Sequence, residues 1–166
     1  EITATSGSYV EGKNSFTYIE AGVITDVLPA EGQYGTNIVI AGSNLRGGAD
    51  SVATVTLAGV EATIEGETNT EVSLTVAHSD NTGAGDIVMT ADTGASIVSE
   101  DAWTYLDLGV IESLNPAVGQ TGTVVTIFGQ RLFGGGSKVA SITLGSTAVA
   151  SVDSETTTEI VVTVDA

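Results

Sequence analysis

The stretch GQYGTNIVIAGSNL, residues 32–45, returns as GQTGTVVTIFGQRL, residues 119–132. Gly32, Gln33, Gly35, Thr36, Ile40, Gly42 and Leu45 each meet the same residue 87 positions later. The register extends to both sides. Gly22-Val23-Ile24 recurs as Gly109-Val110-Ile111, Pro29 as Pro116, Gly47-Gly48 as Gly134-Gly135, and Val52-Ala53 as Val139-Ala140. After Leu57 and Leu144 the second copy gains one residue, so that TNTEVSLTV (68–76) meets TTTEIVVTV (156–164) at an offset of 88. Self-similarity at a fixed spacing of this length reads as a duplicated domain.

Within each copy, short runs rich in Val, Ile and Thr alternate apolar with polar residues and are broken by Gly, Asn and Asp. Ile38 and Ile40, Val55 and Leu57, and Val72, Leu74 and Val76 follow this period of two, the mark of half-buried strands. No segment carries apolar residues at helical spacing, and 21 glycines penalise helices. About seven short strands per copy, with turns every 8 to 12 residues, predict an all-β chain of antiparallel β-sandwiches. The expected core of the copy at 22–106 comprises Ile24, Ile38, Ile40, Val55, Leu57, Leu74, Val76, Ile87, Trp103 and Tyr105.

The ends carry further information. SGSYVEGKNSFTYIEAGVI at the N-terminus aligns with TGASIVSEDAWTYLDLGVI in the middle, pairing Phe16 with Trp103 and Tyr18 with Tyr105. Residues 1–20 therefore read as the last strands of a preceding repeat, 22–106 as one complete sandwich, and 109–166 as a second sandwich without its last strands. A sandwich lacking those strands is expected to expose a hydrophobic slot and unpaired edges. The expectation that follows is head-to-tail complementation, with Phe16 and Tyr18 of one copy packing against Val125, Ile127 or Val162 of its neighbour. The join is read as covalent, within a longer chain cut at a loop, in preference to donor-strand exchange between separate chains.

The series GVITDVLPAEGQYGTNIVIAGSNL, VTLAGVEATI, TEVSLTV and WTYL resembles the IPT/TIG domain family over nearly the whole chain. The resemblance implies an immunoglobulin-like sandwich of a kind found in receptors, some transcription factors and large extracellular repeat proteins. The DNA-binding branch of that family uses basic loops, which this chain lacks. Pro29 and Pro116 are expected to end the first strand at an edge, the glycines of G-x-x-G-T to supply positive φ, and Gly42 and Gly129 to let the chain bend.

With 21 acidic residues against 4 basic ones and a net charge of −17, the chain lacks the cations that drive nucleic-acid binding. The absence of cysteine removes disulfides and thiolate metal sites. No apolar run approaches the roughly 20 residues that span a bilayer, so no membrane insertion is expected.

His78 is the one histidine, and its place at a strand end reads as an ordinary polar residue rather than a catalytic base. Asp80, Asn81 and Asp86 lie in one short loop and offer oxygen ligands of the type calcium accepts, but the stretch lacks EF-hand order and these are ordinary turn residues. No catalytic or cofactor-binding residues are assigned. The expected function is structural: a tandem segment of a long extracellular or cell-surface fibre, filament or appendage. The alternative is a glycan- or protein-binding module using the loops at 44–51, 78–86 and 131–138.

Overall fold

A computed structural model describes residues 1–165, and every regular element within them is a β-strand. In chain order the first copy of the repeat and the segment before it form β1 (Ile2–Thr3), β2 (Tyr9–Val10), β3 (Val23–Leu28), β4 (Glu31–Gly32), β5 (Asn37–Ser43) and β6 (Val52–Leu57). They continue with β7 (Val60–Glu61), β8 (Thr63–Glu67), β9 (Glu71–Thr75), β10 (Gly83–Ala91) and β11 (Ser96–Tyr105). The second copy forms β12 (Val110–Asn115), β13 (Val124–Gln130), β14 (Thr143–Leu144), β15 (Thr147–Ala148), β16 (Ser151–Glu155) and β17 (Glu159–Thr163).

The first copy is a two-sheet sandwich. One sheet runs β3-β5-β9-β8 and the other β4-β11-β10-β6-β7, antiparallel throughout except where β4 pairs parallel with β11. Alternation then explains the core. Ile38, Ile40, Val72 and Leu74 from the first sheet meet Val55, Leu57, Ile87, Met89, Trp103 and Tyr105 from the second. Each strand points every other residue inward.

Nine of the ten expected core residues are buried, while Ile24 is only half-buried. A register shift between Ile24 and Asp26 turns Val27 inward instead. The second copy bulges at the equivalent step, between Ile111 and Ser113.

The repeated motif has a local physical basis. In G-x-x-G-T the Thr36 hydroxyl accepts from the Gln33 amide at 3.1 Å, as Thr123 does from Gln120 at 2.9 Å. A Cβ on Gly32 would lie 2.6 Å from that Thr36 hydroxyl oxygen, so the first glycine clears the turn for the threonine. Gly35 and Gly122 have φ of 83° and 81°, the left-handed conformation that glycine adopts freely. Gly42 and Gly129 serve differently from the bend expected of them. A Cβ on either would strike the carbonyl oxygen of Val23 or Val110 and lie 2.6 Å from a Leu45 or Leu132 methyl, so they permit close packing under a leucine.

The second copy reproduces one sheet, β12-β13-β17-β16. The described residues hold no counterpart of β10 and β11 behind β17. Residues 139–142, equivalent to the start of β6, consequently have no β10 to pair with and form no strand, although Ile142 O still accepts from the Val149 amide at 3.1 Å. Only the hairpin β14-β15 remains of that sheet.

Trp103 is the chain's single tryptophan and lies at the centre of the first sandwich, so its fluorescence reports on that unit. Ile40→Ala deletes methylenes from a site with no exposure and should lower the stability read by Trp103 in urea by about 2–5 kcal/mol. Leu28→Ala, on an exposed side chain, should change it by less than about 0.5 kcal/mol.

Candidate functional site: the open face of the second copy

Four pieces of the second copy frame a groove. The end of β12 and the Pro116 turn supply Leu114, Pro116, Ala117, Val118 and Gly119; β13 supplies Val125; the β14-β15 hairpin and the chain after β17 supply Leu144, Gly145 and Val164. The space is about 360 Å³ and mainly apolar in lining. In the first copy the equivalent place is filled. There β4 pairs with Thr104 and Tyr105, the Thr104 amide donates to Ala30 O at 3.0 Å, and the Leu106 amide donates to Gly32 O at 2.7 Å.

The cost of the gap appears in burial. Val27 is 9% exposed, whereas its equivalent Leu114 is 37% exposed. The slot is narrower than the bare face expected from the sequence, because Phe133, Val139, Ile142, Leu144 and Val149 lie over part of the sheet. Beneath them Val125, Ile127, Ile160 and Val162 remain buried. These side chains stay inward because period-2 patterning places them there whether or not the second sheet is complete.

The N-terminal segment has the form of the β10-β11 hairpin. β1 and β2 pair Ile2 with Val10 and Thr3 with Tyr9. In the first copy the residues 87 positions on pair identically, Met89 with Ile97 and Thr90 with Ser96. The turns agree as well: Gly7 N donates to Ala4 O and Gly94 N to Ala91 O, each at 2.9 Å, with glycine φ of 86° and 87°. Phe16 and Tyr18 meet edge to face at 5.0 Å, as Trp103 and Tyr105 do at 5.6 Å.

The surroundings of the two aromatic pairs differ. Trp103 is fully buried, with its indole N–H lacking an acceptor, and the Tyr105 hydroxyl donates to Ala77 O at 3.3 Å. Burial pushes the Tyr105 phenol above its usual pKa. Phe16 and Tyr18 are 75% and 92% exposed. Within one chain the structure does not bring them to Val125, Ile127 or Val162. Residues 13–20 form no strand, since nothing pairs with them among the described residues.

The other candidates are simply placed. His78 Nε2 lies 3.1 Å from Asp80 Oδ1 with both side chains exposed, and its ring meets Tyr34 edge to face. The Ser79 hydroxyl turns away to the Asn81 backbone. Asp80 thus faces His78, whereas Asp86 accepts from the Asp101 amide at 2.9 Å on the β10-β11 ladder. Among the described residues no group of three or more His, Cys, Asp or Glu is placed to hold a metal ion.

A second cleft, of about 530 Å³, lies between Leu106, Asp107, Gln130, Arg131, Phe133 and Thr158; sequence reasoning offered the 131–138 loop that forms one wall of it but not the walls from the linker and Thr158. A signal was present. Arg46, which pairs with Glu67 at 2.8 Å in the first copy, is replaced at the equivalent place by Phe133.

The sequence profile of the IPT/TIG domain matches residues 23–105 and 110–166. No curated protein matches the chain. Among solved structures, the full extracellular region of plexin A4 aligns at a TM-score of 0.61 and 17% identity, over 87% of this chain and 13% of that one. A second structure of that region aligns at 0.57 and 21% identity, over 99% and 17% of the two chains. The chain thus spans under a fifth of these structures, and at such identities the likeness is one of fold. A surface glycan-binding protein from Prevotella bryantii aligns at 0.42 and 13% identity over 90% and 37%, a similarity that carries no argument.

If Asp80, Asn81 and Asp86 are turn residues, calcium at roughly the 10⁻³ M of extracellular calcium modules should leave the melting temperature where a chelator leaves it. A calcium-dependent rise of several degrees, abolished by Asp80→Asn, would assign them as ligands.

Proposed function

The chain belongs to the IPT/TIG domain family, and from that premise we propose that it is a structural segment of a long extracellular or cell-surface array whose repeats complete one another head to tail. The observation that carries this reading is the match between the free hairpin of residues 1–20 and the filled slot of the first copy. Superimposing the repeat register seats Thr17 and Tyr18 beside Val118 and Gly119, as Thr104 and Tyr105 sit beside Glu31 and Gly32. Ile2 then lies beside Ile142, as Met89 lies beside Val55. Phe16 enters the groove at the place of Trp103, without an indole N–H to leave unsatisfied.

Such a step is strand addition. Backbone pairing extends an incomplete sheet while aromatic side chains fill its pockets. The contact is heterologous, so it propagates rather than closes. The net charge of −17 supports a well-hydrated surface, and the absence of cysteine supports a unit stabilised by packing alone. No catalytic part is proposed, since His78 and Asp80 stand exposed with the nearby Ser79 hydroxyl committed to the backbone.

One observation favours a second reading, as a glycan- or protein-binding module. The cleft beside Phe133 combines a half-buried ring with Arg131, Gln130 and Asp107, and it coincides with a position where the copies differ. A glycan array, with Phe133→Ala as the control, distinguishes this reading from a purely structural role.

For complementation, sedimentation of the purified chain should show oligomers that grow with concentration. A synthetic peptide of residues 1–20 should cap them. Phe16→Ala or Tyr18→Ala should weaken association about 30-fold each if these rings are anchors worth about 2 kcal/mol. A chain that stays monomeric at high concentration and does not bind the peptide would sink the proposal.

A further inference from the structure

Only Leu106, the tail residue after β11, and Asp107 and Leu108 separate that strand from Gly109, where the second copy begins. Without a large apolar interface, relative motion of two domains is the ordinary expectation. Here the connection's polar groups are taken up from both sides. The Leu106 amide donates to Gly32 O at 2.7 Å, Arg131 Nε donates to Leu108 O at 3.0 Å, and the Gly109 amide donates to the Gln33 side-chain oxygen at 3.0 Å. Gly32 and Gln33 belong to the first copy and Arg131 to the second, so the connection is gripped from both.

The loop after β13 receives this tail across two glycines on which any side chain would crowd the incoming groups. A Cβ on Gly134 would lie 2.6 Å from Gln33 Nε2, and one on Gly135 would lie 3.0 Å from the Leu106 Cδ1 methyl. Both glycines have positive φ, 59° and 92°. The same arrangement stands one repeat earlier. A Cβ on Gly48, φ 78°, would lie 2.6 Å from Cδ1 of Ile19, and Ile19 occupies the place of Leu106. Gly22 and Gly109 likewise match, each lacking the Cβ that would lie 2.5 Å from the carbonyl oxygen of Asn44 or Arg131.

We propose that the Gly-Gly loop of each repeat, residues 44–50 and 131–137, is a locking seat for the tail of the preceding repeat, so that successive repeats meet at one fixed angle. The partner of this surface is another repeat of the same kind. It occupies part of two loops that sequence alone offers as ligand-binding loops. Gln120 holds the place of Gln33 in the second copy and presents the same side-chain oxygen to the first glycine of a following copy. This last extension rests on the head-to-tail reading, whereas the junction at 106–109 lies within one chain and stands without it.

The chain lacks cysteine, so Thr63→Cys and Ser151→Cys place two spin labels at equivalent exposed strand positions of the two copies. Electron–electron distance measurements are made on the full chain at a concentration where sedimentation shows monomer, so that failure of head-to-tail association leaves the result readable. The expected result is one narrow distance distribution, at least twofold broader when Gln33→Ala and Leu106→Ala are combined. Trp103 fluorescence should stay native in that variant. A broad distribution in the labelled parent overturns the proposal, and so does a width that the double substitution leaves unchanged. If the double variant loses the Trp103 signature, the width in the parent decides alone.

Discussion

The differences between the two copies of this repeat depend on the covering of a sheet's inner face. The sheet β3-β5-β9-β8 and its copy β12-β13-β17-β16 form alike, because their register comes from adjacent turns and from alternating side chains. The facing sheet is another matter. It is assembled around β10 and β11, which bring Ile87, Met89, Trp103 and Tyr105 to the core and give β6 its ladder partner. In the second copy, residues 139–142 carry comparable apolar residues yet form no strand, since no β10 stands beside them; the Val139 amide donates instead to the Glu155 carboxylate and Ile142 O accepts from the Val149 amide.

That dependence separates two kinds of repeated sequence. Thr36 and Thr123, Gly35 and Gly122, and the Thr68 and Thr156 hydroxyls that accept from the Glu71 and Glu159 amides at 2.9 Å are local devices that operate in both copies. They act over three or four residues, and tertiary completion does not alter them. Trp103 and Phe16 are the opposite case. Equivalent in sequence, they stand at opposite extremes of exposure, because an aromatic ring buries itself only where a second sheet is present to receive it.

The repeat junction shows how little chain is needed to relate two sandwiches. Gly134 and Gly135, both with positive φ, lie against Gln33 and Leu106, and the resulting contacts are polar at the linker and apolar at the tail. The cleft beside Phe133 opens next to the same loop. The replacement of Arg46 by Phe133 therefore changes the chemistry beside a junction whose glycine frame is kept, which is how one scaffold can bear different surfaces from repeat to repeat.

The sequence by itself determined the β architecture, the period of the repeat, the turn chemistry and most of the core, since these follow from alternation and from residues that interact within a few positions of one another. It also marked Phe16 and Tyr18 as equivalents of Trp103 and Tyr105. Other features were decided only in three dimensions. The inward turn of Val27 in place of Ile24 comes from a bulge, which shifts a strand without leaving a mark in its composition. The partial cover over Val125, Ile127, Ile160 and Val162, and the grip of Gln33 and Arg131 on the linker, arise between residues distant in the chain. Periodicity reports which way a side chain points; what it meets there is set by the packing of one sheet, and one repeat, against the next.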